Sequence, residues 1–271
     1  WTYHFFWGLE DIIAVFLDMW SQIPGAKTVG AIYPNDPDGN AWGDKKLGFP
    51  PPVTKAGYKF VDPGRFPDLN SDFSKFISTF KSNHVDIVTG VPIPPDFTTF
   101  WTQALQQGFR PKIASVGKAL LFPSSVEALG KNGAGMSTEL WWSPYHPWKS
   151  SLTGQTAGAL AAAWEKQTHS QWTQPIGFAH GLFEVAADVL RRTKNIDDKQ
   201  SIVDAIKTTN LNTIVGHISW KGGPVPNVAK TQLAGAQWVK GKKYKYELAV
   251  VSSKRVPGLK RTAKLIPIPY K

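Results

Sequence analysis

The strongest constraint on the fold is the alternation of helix and strand patterns through the first half of the chain. Apolar residues recur at helical spacing over residues 9–20, and residues 27–33 form an apolar run typical of a buried strand. Further strand patterns at 85–89 and 112–116 each follow a segment with a helical apolar face. Strands that alternate with helices and short loops form a parallel sheet covered by helices on both faces. The sequence therefore predicts an α/β architecture for this half.

The loops that follow these strands are candidates for ligand contact. They comprise residues 34–42, 90–95 and 116–120. The carboxyl ends of parallel strands meet at one edge of a sheet, and ligands of open α/β sheets bind beyond that edge. We therefore expect the three loops to converge.

The second half of the chain has a different order of elements. Helical patterns at 154–167, 177–192 and 199–208 precede strand patterns at 213–220, 231–239 and 244–250. Three strands in a row predict a meander that is attached to another sheet. The residues from 256 onwards are rich in Pro and Lys and are predicted to be extended.

The net charge of +11 is concentrated near the end of the chain. Residues 1–220 carry 19 Lys and Arg and 19 Asp and Glu, whereas residues 221–271 carry 12 Lys and Arg and one acid, Glu247. A nucleic-acid-binding surface would combine a basic patch with aromatic residues or a known module. The alternation of Lys and Tyr over 242–246 also fits a half-exposed strand after a turn. We interpret this region as a solvated edge strand and a basic tail, with no nucleic acid as partner.

Several classes of chemistry have no sequence support. The absence of cysteine excludes disulfides, thiolate metal sites and cysteine nucleophiles. The chain has no nucleophile elbow, no phosphate-binding loop and no zinc-protease motif, and its six histidines include no pair spaced four residues apart. No segment approaches the ~20 uncharged apolar residues of a membrane span. We therefore predict no catalytic residues, no metal and no cofactor.

Tryptophan is unusually frequent, with twelve copies. Four of the eight residues from Trp141 to Trp148 are Trp or Tyr, in a segment that prolines interrupt. The preferred interpretation is a loop that packs on the sheet. The alternative is an aromatic wall that faces a ligand, which would suit a carbohydrate or an aromatic compound.

An ordered series of sequence blocks carries a family resemblance. The blocks are Trp1–Trp7, 27–39, 70–74, 84–88, 103–109, 216–220 and 232–251. In this order and spacing the chain resembles the type I periplasmic solute-binding proteins of ABC importers, the leucine/isoleucine/valine-binding family. The resemblance covers residues 1 to about 251.

The resemblance implies an α/β fold of two lobes, each a parallel sheet flanked by helices, with the N-terminal half-lobe missing from this chain. Lobe 2 would span 9–147, the C-terminal part of lobe 1 would span 154–250, and 251–271 would be a basic, Pro-containing tail that crosses back toward lobe 2. Because the missing part would hold the central strands of lobe 1, we expect that half-lobe or a partner chain to cover the remnant of lobe 1. A signal peptide is likewise expected to lie outside this chain.

The resemblance also implies a function. The expected protein is bacterial, non-enzymatic, and periplasmic or extracytoplasmic. It would capture a small polar or amino-acid-like ligand between its lobes and deliver it to the membrane subunits of an ABC permease. The ligand would be an amino acid, an aromatic acid or another carboxylate. A ligand-sensing receptor or regulator of the same fold is the first alternative, and a carbohydrate-active enzyme is the second.

The family's ligand-contacting positions fall on five residues of this chain. They are Asp38, Ile93, Gly117, Lys118 and Phe178. In the family, an acid at the position of Gly117 or Lys118 pairs with the ammonium group of an amino acid. Here Asp38 could supply that acid instead, whereas Lys118 could pair with the carboxylate of an acidic or aromatic-acid ligand. The alternative for Lys118 is a solvated lysine on a loop.

Overall fold

The computed structural model describes residues 2–270. Trp1, which begins the first resemblance block, and Lys271, which ends the predicted tail, lie outside the described residues. The chain divides into two compact units. The sheet unit comprises 9–139, 234–254 and 261–270, and the helical unit comprises 2–8, 140–233 and 255–260.

Between residues 2 and 270 the structure contains strands, α-helices and one short 3-10 helix at Gly130–Asn132. The strands are β1 His4–Phe6, β2 Thr28–Pro34, β3 Lys59–Val61, β4 Arg65–Phe66, β5 Ile87–Gly90, β6 Ile113–Val116, β7 Met136–Leu140, β8 Asn210–Thr213, β9 Gly216–Ser219, β10 Val228–Lys230, β11 Ala234–Lys240 and β12 Tyr246–Ser252. The helices are α1 Leu9–Trp20, α2 Pro37–Trp42, α3 Pro50–Lys55, α4 Ser74–Ser82, α5 Pro94–Gln106, α6 Pro123–Glu127, α7 Ala157–Thr168, α8 Pro175–Arg192 and α9 Lys199–Lys207. None of these helices is long and apolar enough to cross a membrane.

The sheet unit is built on one sheet with the strand order β12-β11-β7-β6-β5-β2-β3, and β4 also pairs with β2. Strands β3, β2, β5, β6 and β7 are parallel, with Thr89 opposite Ala31 on one side and Ser115 on the other. The parallel α/β architecture predicted for this half is confirmed, and the predicted strands at 27–33, 85–89 and 112–116 correspond to β2, β5 and β6.

Helix α1 shows why the apolar spacing gives this packing. Its inward residues are fully or almost fully buried, and the indole Nε1 of Trp20 donates a hydrogen bond to Ser115 Oγ at 2.9 Å. A Cβ atom at Gly30 on β2 would lie 2.7 Å from the ring of Phe80, so the glycine allows α4 to pack directly on the strand. The apolar faces of α1 and α4 are thereby removed from water, which is the main driving force for this layered arrangement.

The structure differs from the predicted lobe boundaries at the last two strands. Strands β11 and β12 form an antiparallel pair in the sheet unit, although the sequence analysis assigned 154–250 to a single lobe. The backbone N of Gly135 donates to Trp238 O at 2.8 Å, and Trp238 Nε1 donates to Leu120 O at 2.8 Å. These bonds attach β11 to the sheet unit. In addition, residues 140–147, which were predicted in lobe 2, belong to the helical unit.

Residues 261–270 are extended and pack on the rest of the sheet unit. Ile268 N donates to Lys112 O at 2.9 Å, and Tyr270 OH donates to Pro111 O at 2.6 Å. Leu265 and Ile268 are buried. Residues 261–270 are therefore fixed by apolar burial and hydrogen bonds rather than by regular secondary structure.

The helical unit combines α7, α8 and α9 with two small sheets. Strands β1 and β10 are parallel, and β8 and β9 form an antiparallel hairpin. Its core is apolar and consists of Phe5, Trp142, Ala157, Ala161, Ile214, Val215, Ile218, Trp220 and Ala229. The buried carboxylate of Glu184 on α8 accepts hydrogen bonds from Ser151 N, Ser151 Oγ and Ile214 N at 2.5, 2.8 and 2.9 Å.

One face of α8 carries exposed apolar side chains. Leu182, Phe183 and Leu190 are 60%, 70% and 55% exposed, and Ala179 and Ala186 on the same face are exposed as well. The opposite face, which includes Gly181, is buried. The exposed stripe has the helical spacing of a packing surface rather than that of scattered surface residues.

Candidate ligand-binding residues

Three loops of the sheet unit lie at one edge of its sheet. Strand β5 lies between β2 and β6, and all three are parallel, so the segments that follow them emerge at the same edge. The backbone N of Gly117 donates to Gly90 O at 3.0 Å, which ties the segment after β6 to the end of β5. The expected convergence of loops 34–42, 90–95 and 116–120 is confirmed.

The local sequence after β2 determines the shape of the first loop. Asp36 caps α2, because its Oδ1 accepts a hydrogen bond from Gly39 N at 2.6 Å, and Pro37 occupies the first position of the helix. A Cβ atom at position 39 would overlap the carbonyl oxygen of Pro34, so only glycine fits there. The cap places Asp38 in the first turn of the helix.

Lys118 forms ion pairs with two aspartates from this loop. Its Nζ lies 3.1 Å from Asp36 Oδ2 and 2.6 Å from Asp38 Oδ2. Lys118 also has a left-handed backbone with a φ of 56°, which is uncommon for a residue other than glycine. We call Asp36, Asp38 and Lys118 the charged triad. With all three groups ionised, the triad carries a net charge of −1.

The ion pairs stabilise the charged forms of Lys118 and Asp36. Burial alone would lower the pKa of Lys118, but its hydrogen bonds to Asp38 and Asp36 outweigh this effect and raise it. Burial likewise acts to raise the pKa of Asp36, but the hydrogen bonds from Gly39 N and Lys118 outweigh it, so the pKa lies below its usual value. The structure thus brings together two predicted ligand-contacting residues, Asp38 and Lys118, as partners of each other.

Gly117 lies where a side chain would collide with its neighbours. A Cβ atom there would be 2.8 Å from Cη2 of Trp42 and 3.4 Å from Oε1 of Glu139. Gly117 therefore contributes backbone groups only. Glu139 is buried near the end of β7, and its Oε2 accepts a hydrogen bond from Thr138 Oγ1 at 2.9 Å. Glu139 was not predicted from the sequence, because the burial of β7 along its whole length is visible only in the structure.

Ile93 is half-buried and occupies the N-cap position of α5. Its backbone is extended, its carbonyl accepts from Phe97 N at 3.1 Å, and prolines follow it at the start of the helix. Its side chain can offer a ligand only apolar contact.

Phe178 lies on α8 in the helical unit, within a group of four aromatic rings. We call Phe6, Trp7, Trp141 and Phe178 the aromatic cluster. All six pairs of these rings are in contact, with centroid separations from 3.5 to 6.1 Å. Phe178 was predicted from the resemblance, whereas Phe6 and Trp7 were not, since their only signal is the aromatic run at the start of the chain.

The aromatic segment 141–148 is not a single wall. Trp141 belongs to the aromatic cluster, whereas Trp142 is fully buried in the core and Trp148 packs on His146 at 4.7 Å. Burial lowers the pKa of His146 to about 4, so its imidazole is neutral near pH 7, and Nδ1 lies 2.9 Å from Ser143 Oγ. The preferred interpretation, a loop that packs on the sheet, is thus correct only in that Trp142 is packed, because Trp142 lies in the core of the helical unit and not on the large sheet. Trp141 is half-buried.

Removing the cation of the charged triad should destabilise the fold in a pH-dependent way. Lys118→Met leaves Asp36 and Asp38 facing each other without a cation, and we expect a loss of about 1 kcal/mol at pH 7. The stabilisation of Asp36 exists above its unfolded-state pKa and is lost as the pH falls through its lowered folded-state pKa. The difference between variant and parent in urea unfolding should therefore vanish in strong acid. Lys45→Met, at an exposed position of the same unit, is the control and should show no such dependence.

The comparisons with known proteins agree with this architecture. A family model described as periplasmic binding protein matches residues 1–243. A search of curated proteins finds no match. Many solved structures are similar, including a leucine-binding protein from Thermotoga maritima, with 18% identity and a TM-score of 0.68 over 88% of this chain and 63% of that one.

Two further solved structures show the same fold. A leucine-, isoleucine-, valine-, threonine- and alanine-binding protein from Brucella ovis has 16% identity and a TM-score of 0.69, over 95% of this chain and 66% of that one. A solute-binding protein of an ABC transporter from R. palustris, in complex with 4-hydroxybenzoate, has 16% identity and a TM-score of 0.68, over 92% and 66%. The chain thus spans 63–66% of the length of these three structures. Since the family model covers most of its length and the fold agrees, the chain belongs to the periplasmic binding protein family.

Proposed function

We propose that this chain is part of an extracytoplasmic solute-binding protein that captures a small ligand and delivers it to an ABC importer. The observation that carries the proposal is the convergence of three loops, with the charged triad, at the carboxyl edge of a parallel sheet. Such an edge is where ligands of open α/β sheets bind. Membership of the periplasmic binding protein family supports the same role.

The ligand contacts proposed from the resemblance are Asp38, Ile93, Gly117, Lys118 and Phe178. Asp38 is 57% exposed and its triad carries one surplus negative charge, so it can accept hydrogen bonds from an ammonium or hydroxyl group. Lys118 already has two carboxylate partners, which weakens its ability to bind a ligand carboxylate. Ile93 and Phe178 would supply apolar contact. Capture by closure of two lobes, which the resemblance implies, is part of this proposal.

A periplasmic location in a bacterium and the membrane subunits of a permease as partners follow from the same proposal. An additional half-lobe or a partner chain would cover the exposed stripe of α8 that includes Leu182 and Phe183.

Calorimetric titration with a defined panel tests this proposal. The panel contains leucine, isoleucine, alanine, 4-hydroxybenzoate, 3,4-dihydroxybenzoate and glucose, and the protein is produced with the coding sequence that flanks this chain. We expect saturable binding of one carboxylate-containing compound. At 100 times the Kd, that compound should stabilise the protein by about 2.7 kcal/mol.

Two paired variants locate the site. The double variant Asp38→Asn/Lys118→Met should weaken binding about tenfold or more, which corresponds to about 1.4 kcal/mol. The matched control is Asp204→Asn/Lys207→Met, which removes an exposed ion pair of 3.2 Å from the helical unit and should leave the Kd unchanged. A folded protein that binds no carboxylate of the panel, or that hydrolyses glycosides, would refute the proposed function.

A further inference from the structure

The helical unit contains a cavity of about 760 Å³ that none of the proposed ligand contacts lines. It is bounded by the end of α9, the β8–β9 hairpin, the segment after β9 and the last residue of β10. We call it the basic cavity, and its lining includes Lys207, Asn210, His217, Ser219, Lys221 and Lys230. Pockets for small organic ligands have volumes of about 300–1,000 Å³. The basic cavity therefore has the size of a ligand site.

Positive charge dominates the lining of the basic cavity. Among the residues between 2 and 270 that line it, three are lysines and none is Asp or Glu, so with His217 neutral the lining carries a charge of +3. A concave surface lined by charges of one sign concentrates the electric field and attracts ligands of the opposite sign. The basic cavity is therefore suited to an anion, and an anion with more than one negative charge compensates the lining best.

One acid beside the basic cavity pairs with one of its lysines. Lys207 Nζ lies 3.2 Å from Asp204 Oδ1, but the two side chains are 53% and 61% exposed, and Asp204 does not line the cavity. An ion pair that is this exposed contributes little to stability, because water screens the charges. Lys207 can therefore exchange Asp204 for a bound anion.

Contacts within the helical unit hold the walls of the basic cavity in place. Trp220 Nε1 donates a hydrogen bond to Ile206 O at 2.6 Å, which attaches the end of α9 to the residue after β9. A Cβ atom at Gly223 would overlap Val228 O, so only glycine allows the segment after β9 to approach β10 this closely. Walls that are already ordered lose little conformational freedom when a ligand binds, which favours affinity.

The donors of the basic cavity match a phosphate monoester better than a carboxylate. A phosphate monoester carries about −1.5 to −2 charges near pH 7 and has three strong acceptor oxygens. Each lysine ammonium group and the exposed amide of Asn210 can donate to such oxygens. The Ser219 hydroxyl accepts from Lys221 N at 3.3 Å and keeps its own proton to donate. Since a phosphate group alone is much smaller than the cavity, room remains for an organic group.

We propose that the basic cavity binds the phosphate group of a small phosphate monoester, with Lys207, Lys221 and Lys230 supplying the positive charge and Ser219 and Asn210 supplying neutral donors. This site goes beyond the proposed function, because it lies within the helical unit and shares no residue with the proposed ligand contacts. A soluble ester and the headgroup of phosphatidic acid present the same phosphate group, so the experiment has one arm for each.

Calorimetry with glycerol 3-phosphate tests the soluble arm on the same protein that is used for the carboxylate panel. Glycerate has a similar carbon skeleton but one carboxylate in place of the phosphate, and inorganic phosphate lacks the organic group. We expect saturable binding of glycerol 3-phosphate, with a Kd about tenfold or more below that of glycerate, which corresponds to about 1.4 kcal/mol. Inorganic phosphate should bind more weakly than the ester. Affinity for the ester should fall as salt is added, because ions screen the exposed lysines.

Paired variants locate the phosphate site. Lys221→Met/Lys230→Met leaves the ion pair of Lys207 with Asp204 intact and should raise the Kd for glycerol 3-phosphate about tenfold or more. The matched control is Lys149→Met/Lys166→Met, which removes two exposed lysines of the helical unit outside the cavity and should leave this Kd unchanged. Melting temperatures near that of the parent show that both variants are folded.

Cosedimentation with phosphatidylcholine vesicles that contain phosphatidic acid tests the lipid arm. Vesicle binding that is lost in the Lys221/Lys230 variant but kept in the control, without binding of glycerol 3-phosphate, would support the site and assign its phosphate to a lipid. The proposal is overturned if neither probe binds the folded protein, if glycerate binds as tightly as the ester, or if both double variants lose the same affinity. None of these results would affect the carboxylate binding predicted for the sheet unit.

Discussion

Replacing Gly177 by Ala should destabilise the helical unit by at least about 2 kcal/mol. In the interior of a helix this substitution is normally favourable, by about 1 kcal/mol, because alanine has the higher helix propensity. At position 177 the added Cβ would lie 2.5 Å from Cδ1 of Trp142 and closer still to other atoms of the ring. Trp142 is fully buried and meets Trp172 edge-on at 6.1 Å, so the ring has little room to move. Overpacking costs about 1–3 kcal/mol and sometimes more, and the enclosure of Trp142 favours the upper end of this range. Subtracting the propensity gain of about 1 kcal/mol from that upper end leaves a net loss of about 2 kcal/mol or more.

Gly158→Ala on α7 is the matched control for Gly177→Ala. A Cβ at position 158 would have Pro144 O as its nearest neighbour, at an ordinary contact distance of 3.4 Å. We expect this variant to gain up to about 1 kcal/mol, as helix propensity alone dictates. Urea unfolding followed by tryptophan fluorescence measures both variants. Similar changes in the free energy of unfolding for the two would contradict the close packing of α8 on Trp142.

The architecture of the sheet unit was predictable because its signal is local. The helical spacing from Ile12 to Trp20 and the apolar run of β2 are each properties of a short window, and the observed elements agree with them. The placement of β11 and β12 was not predictable in the same way. Alternation identifies a strand but does not say which sheet it joins, and that choice depends on bonds such as Gly135 N to Trp238 O between distant residues.

The sequence indicated candidate ligand contacts one residue at a time, but it did not give their arrangement in space. Asp38 and Lys118 were selected separately as ligand-contacting positions. Their mutual ion pair depends on the order of strands in the sheet, which brings the loop after β2 close to the loop after β6. The aromatic cluster shows the same limit. Trp141 stood out in a conspicuous aromatic segment, but its association with Phe6 depends on contacts between the two ends of a long stretch of chain. Composition indicates that such residues exist, and only the fold determines which of them meet.

Replacing Glu184 by Leu should destabilise the helical unit by about 3 kcal/mol or more. The Glu184 carboxylate is buried and accepts from two backbone N–H groups, Ser151 N at 2.5 Å and Ile214 N at 2.9 Å, and from the Ser151 hydroxyl at 2.8 Å. Leucine has a similar volume but no acceptor, so both backbone donors would lose their partner inside the unit. Each buried donor left unsatisfied costs about 1–3 kcal/mol. Loss of the desolvation penalty of the carboxylate offsets only part of this cost.

The variant Glu184→Gln tests how much of the stabilisation depends on the second acceptor oxygen and the negative charge, because it removes both and keeps one acceptor oxygen. The amide keeps one acceptor oxygen for a backbone donor but replaces the other oxygen with an N–H₂ group, which cannot accept from Ile214 N or Ser151. We therefore expect the free energy of unfolding of Glu184→Gln, measured with urea, to lie between that of the parent and that of Glu184→Leu. Amide hydrogen exchange should accelerate at Ser151 and Ile214 in the leucine variant, because both N–H groups then lack an internal acceptor. A leucine variant that is as stable as the parent and exchanges no faster at these two amides would contradict this prediction. The hydrogen bonds of the Glu184 carboxylate would then not be needed to hold α8 against the segments that contain Ser151 and Ile214.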